Sequence, residues 1–288
     1  MERHTRSYLQ LLKPGITLSN TLSGIAGFFL AASLVGFQWA ALIGIVLGLA
    51  GVIASACVVN NVLDRNIDKR MKRTAKRDVA NGTIPIRYAL LYALLLGGIG
   101  FTALIFLTNT LTVCLGIIAY LWYVGIYGFA KRTTAYSTVI GGVAGALPPV
   151  AGYTALTNQI DLAAVVLFLI LFFWQLPHFY AIAMFRKNDY AKAKLPVWSV
   201  RYGMQSTKVQ IFASVLFYAV AAALLALFGY TGVVYLVLSS LLSAYWIYTG
   251  IRYYTTLDDV KWARKMFGVS LLVLLSMVLL IALGGYLP

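Results

Sequence analysis

Nine apolar runs, joined by loops that are strongly basic on one side only, constrain this chain more than any other feature. The runs lie near 15–34, 39–62, 88–107, 111–130, 136–155, 162–184, 208–229, 231–250 and 267–286. Each has roughly the 17–25 residues that an α-helix needs to cross the hydrocarbon core of a bilayer. All 23 Lys and Arg fall in the N-terminal segment or in the loops after even-numbered runs, with Lys208 at the lip of the seventh. The opposite loops, around 35–38, 108–110, 156–161 and 230, hold one charge, Asp161. Cytoplasmic loops collect Lys and Arg, so the sorting predicts a cytoplasmic N-terminus and a C-terminus outside. Adding or removing one run would destroy it. The predicted fold class is an all-α integral membrane protein, a bundle of nine transmembrane helices.

Composition agrees where it bears on that argument. The chain is 61% hydrophobic and 11% charged, with a mean hydropathy of +0.85, far more apolar than a water-soluble domain. A net charge of +15 would suggest nucleic acid as the partner of a soluble chain. Here the one-sided loops account for it, so the expected partner is membrane lipid and no nucleic acid. Cys57 and Cys114 both sit in apolar runs and suggest neither a disulfide framework nor a metal site. Arg3, His4, Arg6 and Lys13 ahead of the first run imitate a signal peptide, but eight further runs favour an uncleaved first helix. With no long Arg/Ser-rich presequence, a bacterial cell (inner) membrane is the simpler expectation. No linker divides residues 1–288, which predicts one domain. Lys13-Pro14-Gly15 marks the start of the first helix, and Asn81-Gly82 with Pro85 a turn before the third.

The chemistry concentrates in Asn60 to Asp78, NNVLDRNIDKRMKRTAKRD, directly after the second run. If the helix continues, Asn60, Asp64 and Asp68 recur at i, i+4 and i+8 on one face. Arg65, Lys69, Arg73 and Arg77 form a second ladder about 100° away. Hard oxygen ligands on one stripe suit Mg²⁺, and cations on the other suit phosphate oxygens. The plainer alternative is a juxtamembrane basic segment lying on anionic lipid, with the acids as salt-bridge partners.

Other polar positions lie within or beside the runs. The fifth holds Gly141, Gly142 and Gly145, which would permit close helix approach, then Pro148-Pro149, which should kink or break the helix. The sixth holds Gln175, Pro177 and His178 in WQLPHFY, a polar, kinked segment; ionisable groups at such depth tend to mark function, against a merely hydrogen-bonded histidine. Tyr123 and Tyr127 end the fourth run, either as interfacial aromatics or as part of a site. Lys131 and Arg132 follow them, and Arg186, Lys187, Asp189, Lys192 and Lys194 follow the sixth run. Together with the aspartate stripe they would close a ring around a polyanion.

NNVLDRNIDKRMKRT (60–74) resembles the first aspartate motif, N-D-x-x-D-x-x-x-D, of the UbiA-like intramembrane prenyltransferases. LKPGIT (12–17), YGFAKRTTAYSTVIGG (127–142), GALPPVAGY (145–153), WQLPHFYAIAMFR (174–186) and WARKMFG (262–268) are similar to the branch that farnesylates haem, the haem o synthases. These segments extend from the first helix to the last. The resemblance implies a nine-helix bundle around a central cavity open to the cytoplasm. It implies a reaction in which farnesyl diphosphate alkylates a vinyl group of haem b, water adds a hydroxyl, and diphosphate leaves. Asn60, Asp64 and Asp68 would then hold Mg²⁺, the cofactor, while Asn61, Arg65, Arg73, Arg77, Arg132, Arg186, Lys187 and Asp189 surround the diphosphate. Asp64, Asp68, Tyr127 and Lys131 would be the catalytic set, and His178 and Gln175 the haem contacts. A homo-oligomer or a haem-modifying partner enzyme is left open.

Two departures stand out. Asn61 replaces an aspartate common in the superfamily, and the second motif, D-x-x-x-D, is reduced to Asp189, with Phe185 at the earlier position. The missing acid puts a second metal ion in doubt and argues against an aromatic acceptor such as a quinone precursor. His178, a natural axial ligand type for haem iron, argues for haem. A transporter would place charged groups at mid-membrane in paired repeats, and a non-catalytic haem carrier leaves the aspartate stripe without a task.

Overall fold

The computed structural model describes residues 2–288, and side chains from Ser7 onward; Arg3, His4 and Arg6 lie outside the described side chains. Among these residues there are helices and no strands. α1 (Glu2–Leu11) is followed by α2 (Pro14–Val35), α3 (Trp39–Asp68) and α4 (Ile86–Leu107). The fourth crossing is composite: α5 (Thr110–Leu121), a π-helical segment Trp122–Tyr127, and α6 (Gly128–Thr133). Then come α7 (Ser137–Thr157), α8 (Leu162–Phe185), the short α9 (Lys187–Lys192) and α10 (Trp198–Arg201), and α11 (Gly203–Leu227), α12 (Val233–Arg252) and α13 (Asp259–Gly284). Nine of these stretches among the described residues are long and apolar enough to cross a membrane, matching the nine expected.

Two boundaries moved for local reasons. α13 begins at Asp259, eight residues before the apolar run, because the Asp258 carboxylate accepts the Lys261 backbone N–H at 2.8 Å and caps the helix. α3 extends to Asp68 and stops there. The basic ladder is therefore not helical beyond Arg65, contrary to the expectation. Lys69, Arg70, Lys72 and Arg73 would repel one another on a continued helix. Instead, the Thr74 hydroxyl donates to the Asp68 carbonyl at 3.1 Å, and the chain turns back on itself.

Hydrocarbon gives helices no hydrophobic reason to associate, so they gain by close packing of small residues. α2 meets α7 at Gly27 and Gly152: a Cβ on either would strike Pro149 or Gly24 backbone atoms. α3 meets α4 at Gly51 and Gly100 in the same way. Gly142 and Gly145 let α7 lie close against the Phe172 and Gln175 side chains of α8, as expected, while Gly141 faces the Tyr127 ring. The prolines do not break their helices. α7 runs unbroken through Pro148 and Pro149, and α8 through Pro177. The neighbouring helices hold these stretches in helical form where an isolated peptide would break. The largest apolar core joins α2, α7, α8, α11, α12 and α13.

Candidate active site

The stripe on α3 forms as its spacing requires. Asn60, Asp64 and Asp68 are all buried on one face of one helix, each about 6 Å further along the axis than the last. Each residue meets at least one cation, and the three rungs draw theirs from different parts of the chain. At the rim Arg77 donates to both Asp68 oxygens, at 2.8 and 3.1 Å. One turn in, Asp64 accepts from Lys131 on one oxygen and from Arg132, at 3.1 Å, on the other. Another turn in, the Lys13 ammonium donates to Asn60 Oδ1 at 2.7 Å. Lys13 precedes α2 in a left-handed conformation, φ 48°. Burial is the chief influence on its ammonium and pushes the pKa below the ordinary lysine value.

The π-helical segment shapes the wall beside this ladder. Its wider turn sets Tyr123 and Tyr127 in a stacked pair, ring centroids 5.5 Å apart. Lys131 Nζ lies 5.3 Å from the Tyr127 ring centre. Trp122 anchors the segment by donating to the Ile140 carbonyl at 2.7 Å, and Gly141 leaves room for the Tyr127 ring. Such bulges concentrate at functional sites.

The loop after the sixth crossing covers the rim. Met71 packs with Ala183, Ala193, Leu195 and Val197, and Tyr190 adds to that cluster. Burial raises the Tyr190 phenol pKa, and the positive field of Arg73 and Arg186 opposes the shift. Arg186 is 3.9 Å from Asp189 and lies over the Phe185 ring. The loops after the second and sixth crossings therefore converge, as the ring expectation required.

Not every expected residue joins the ladder. Asn61 turns the other way and donates to the Leu11 carbonyl at 3.0 Å. Arg65 folds onto its own helix, at the Val62 carbonyl. Arg73 is exposed and Lys187 half-buried beside the rim, neither in an ion pair among the described residues. Gln175 donates to the Gly142 carbonyl at 2.8 Å and ties α8 to α7. His178 is half-buried, stacked on Trp174 at 5.1 Å, with Phe267 at 4.8 Å and its Nδ1 2.8 Å from Ser270 Oγ. Lys13, Tyr190 and Ser270 were missed by the sequence reading. In the sequence Lys13 reads as part of the basic N-terminal segment and as a helix-start marker; its place in the site depends on Asn60, 47 positions away.

The sequence matches the UbiA prenyltransferase family over residues 20–283. Curated relatives cover nearly the whole chain. Protoheme IX farnesyltransferase 2 of Shewanella sp. (strain MR-4) is 40% identical over 96% of this chain and 90% of its own. Protoheme IX farnesyltransferase of Blochmanniella floridana is 39% identical over 96% and 97%. The chain belongs to the UbiA prenyltransferase family, among the protoheme IX farnesyltransferases. Its fold agrees with a solved structure of digeranylgeranylglyceryl phosphate synthase, TM-score 0.79 at 17% identity over 99% of both chains. It also agrees with a UbiA homolog from Archaeoglobus fulgidus bound to GPP and Mg²⁺, TM-score 0.68 at 17% identity over 96% and 99%.

For a UbiA prenyltransferase the question is whether these residues suit a divalent ion. Asn60, Asp64 and Asp68 offer hard oxygens in line on a rigid helix, which is the donor type Mg²⁺ prefers. Among the described residues no three His, Cys, Asp or Glu cluster into an all-protein cage. That is the usual situation for Mg²⁺, held by one or two carboxylates with water and substrate phosphate completing the shell. The donors fit an ion that arrives with a diphosphate.

Proposed function

We propose that this protein is a haem o synthase: it transfers the farnesyl group of farnesyl diphosphate to a vinyl group of haem b, with water supplying the hydroxyl. The observation that carries this reading is the buried ladder on α3, in which Asn60, Asp64 and Asp68 each face a cation at one end of the bundle. Whole-length relatives named protoheme IX farnesyltransferase support the acceptor. Asn60, Asp64 and Asp68 would hold Mg²⁺, which when bound neutralises diphosphate charge as the allylic C–O bond ionises. Arg77, Lys131 and Arg132 exchange their carboxylates for phosphate oxygens, and Arg73, Arg186 and Lys187 close over the outer end beside Asp189. Tyr123 and Tyr127 line the path from diphosphate to the bundle interior, where the lack of water protects an allylic cation. The cavity opens to the cytoplasm of a bacterial cell, with the N-terminus on that side.

His178 is the residue we assign to the haem. Ser270 Oγ donates its one proton to the Phe267 carbonyl at 2.6 Å, so it accepts from Nδ1–H of His178 at 2.8 Å. That tautomer leaves Nε2 with a free lone pair, and an oriented second nitrogen is the usual support of a metal-binding imidazole. Gln175, one turn away on α8, orients the propionate side.

The test is mass spectrometry of haem after the purified protein is incubated with haem b, farnesyl diphosphate and Mg²⁺. Haem with the added hydroxyethylfarnesyl group is the expected product. Unmodified haem, with farnesylation of an aromatic acceptor instead, overturns the assignment.

A further inference from the structure

The ladder does not balance electrically. Lys13, Arg77, Lys131 and Arg132 face only two carboxylates, Asp64 and Asp68. Arg77 takes Asp68, and Lys131 and Arg132 share Asp64, so Lys13 is left with a neutral amide. Among the described residues its ammonium has one hydrogen-bond partner, Asn60 Oδ1 at 2.7 Å, out of the three it can make. The other end of that amide is also unsatisfied. Asn60 Nδ2 is buried with no partner, in a residue only 3% exposed. A desolvated cation without a counter-ion, beside an orphaned donor, costs free energy that a fold does not need to spend. Both defects vanish if an anion with several acceptor oxygens binds there.

Position decides which part of the anion. Asn60 lies one helical turn deeper than Asp64 and two deeper than Asp68, about 6 and 12 Å along α3. A prenyl diphosphate with its chain in the apolar interior places its ester-linked phosphate innermost. We propose that Lys13 is a catalytic residue: its ammonium binds the ester-end phosphate of the allylic diphosphate and stabilises the oxygen that departs. The C1–O bond breaks heterolytically and its electron pair stays on that oxygen. Lys13 donates a hydrogen bond to it without giving up its proton, and the diphosphate leaves as the prenyl cation passes to the acceptor. Asn60 Nδ2 donates to a neighbouring phosphate oxygen. This rests on the protein being an allylic diphosphate transferase, and is independent of which acceptor it uses.

The experiment compares wild type, Lys13→Met and Lys13→Arg as full-length protein in detergent, with farnesyl S-thiolodiphosphate and Mg²⁺ as a non-ionising probe. Lys13→Met is expected to bind the probe about tenfold or more weakly, the loss of one charge-assisted hydrogen bond. Its turnover should fall by on the order of 10²-fold, as for loss of one donor to a developing oxyanion. Lys13→Arg should recover part of both. The apo protein's melting midpoint should hold or rise in Lys13→Met, because an uncompensated charge has gone. A falling midpoint with unchanged probe affinity makes Lys13 structural and overturns the proposal, as do unchanged affinity and turnover. Wild type that fails to bind the probe overturns both this and the proposed function. Wild type that binds it without farnesylating haem b sinks the acceptor alone, and the Lys13→Met affinity difference still supports the proposal.

Discussion

Replacing Asp64 by Asn separates what the ladder does for folding from what it does for binding. The Asp64 and Lys131 side chains are 12% and 11% exposed, whereas Arg132, the other partner, is 39% exposed. Removing one partner of a buried ion pair leaves the survivor uncompensated, at about 3–5 kcal/mol. The lower end applies to Asp64→Asn, because Arg132 can rehydrate and the new amide still accepts from Lys131. We expect about 3 kcal/mol, which at roughly 2 °C per kcal/mol for a chain of this size lowers the melting midpoint by about 6 °C. Lys131→Met in the same background removes the stranded charge as well. Replacing both members of a buried pair is often close to neutral, so the double variant should regain about 2 kcal/mol of that loss, a coupling expected only for groups in contact. Turnover should not return, since both Mg²⁺–diphosphate contacts are gone. Thermal unfolding of the four proteins of the cycle, with turnover measured on each, checks this. A double variant as unstable as Asp64→Asn, or an Asp64→Asn enzyme with near-native turnover, would refute the reasoning.

Four further outcomes follow from other contacts. Asp68→Asn should also abolish prenyl transfer while haem binding persists; near-native turnover at low Mg²⁺ would remove Asp68 from the metal site. Gly152→Ala drives a Cβ into Gly24 and Phe28 backbone atoms that cannot swing aside, costing about 1–3 kcal/mol, whereas Gly268→Ala on α13 meets nothing within 4 Å and should stabilise by about 0.5–1 kcal/mol; midpoints that shift alike would contradict the close α2–α7 contact. His178→Ala should weaken haem binding and shift the Soret band with farnesyl diphosphate binding unchanged, and an unaltered spectrum with lost stability makes the histidine structural. Reporters placed in the 69–85 loop and after Pro288 should fall on opposite sides of the membrane, and finding both on one side would break the span count.

The crossings were legible because the bilayer imposes one length and one sign rule on every helix that spans it. The stripe Asn60, Asp64, Asp68 was legible for the same reason: inside a helix, residues four apart must share a face. The basic ladder failed at Lys69 because that rule ends where the helix does, and the end of α3 depends on a Thr74 hydroxyl reaching back to a carbonyl six residues earlier. Proline leaves the helix unbroken at 148 and 149 for a related reason. Its penalty is a property of an isolated helix, and close packing against α2 at Gly27 and Gly152 supplies what the isolated helix lacks.

The residues missed were those whose role comes from sequence-distant partners. Lys13 is 47 positions from Asn60 and Ser270 is 92 from His178. No periodicity connects such pairs, and each depends on how α2 or α13 docks against the bundle. The sequence shows the donor types, but only packing shows which charge lacks a partner. In this ladder the mismatch is one-sided: the carboxylates of Asp64 and Asp68 are satisfied, and the unmatched group is a cation on the deeper rung. A stripe meant only to bind metal in the resting protein would leave carboxylates unmatched instead. The imbalance favours a site completed by an anion, with the metal arriving as that anion's counter-ion, and predicts that Mg²⁺ alone binds the free protein far more weakly than Mg²⁺ with inorganic diphosphate. Linkage makes the coupling reciprocal, so diphosphate affinity must rise with Mg²⁺ by the same factor. Titration calorimetry in both orders measures it, and tight Mg²⁺ binding without diphosphate would show that the cations yield to the metal unaided.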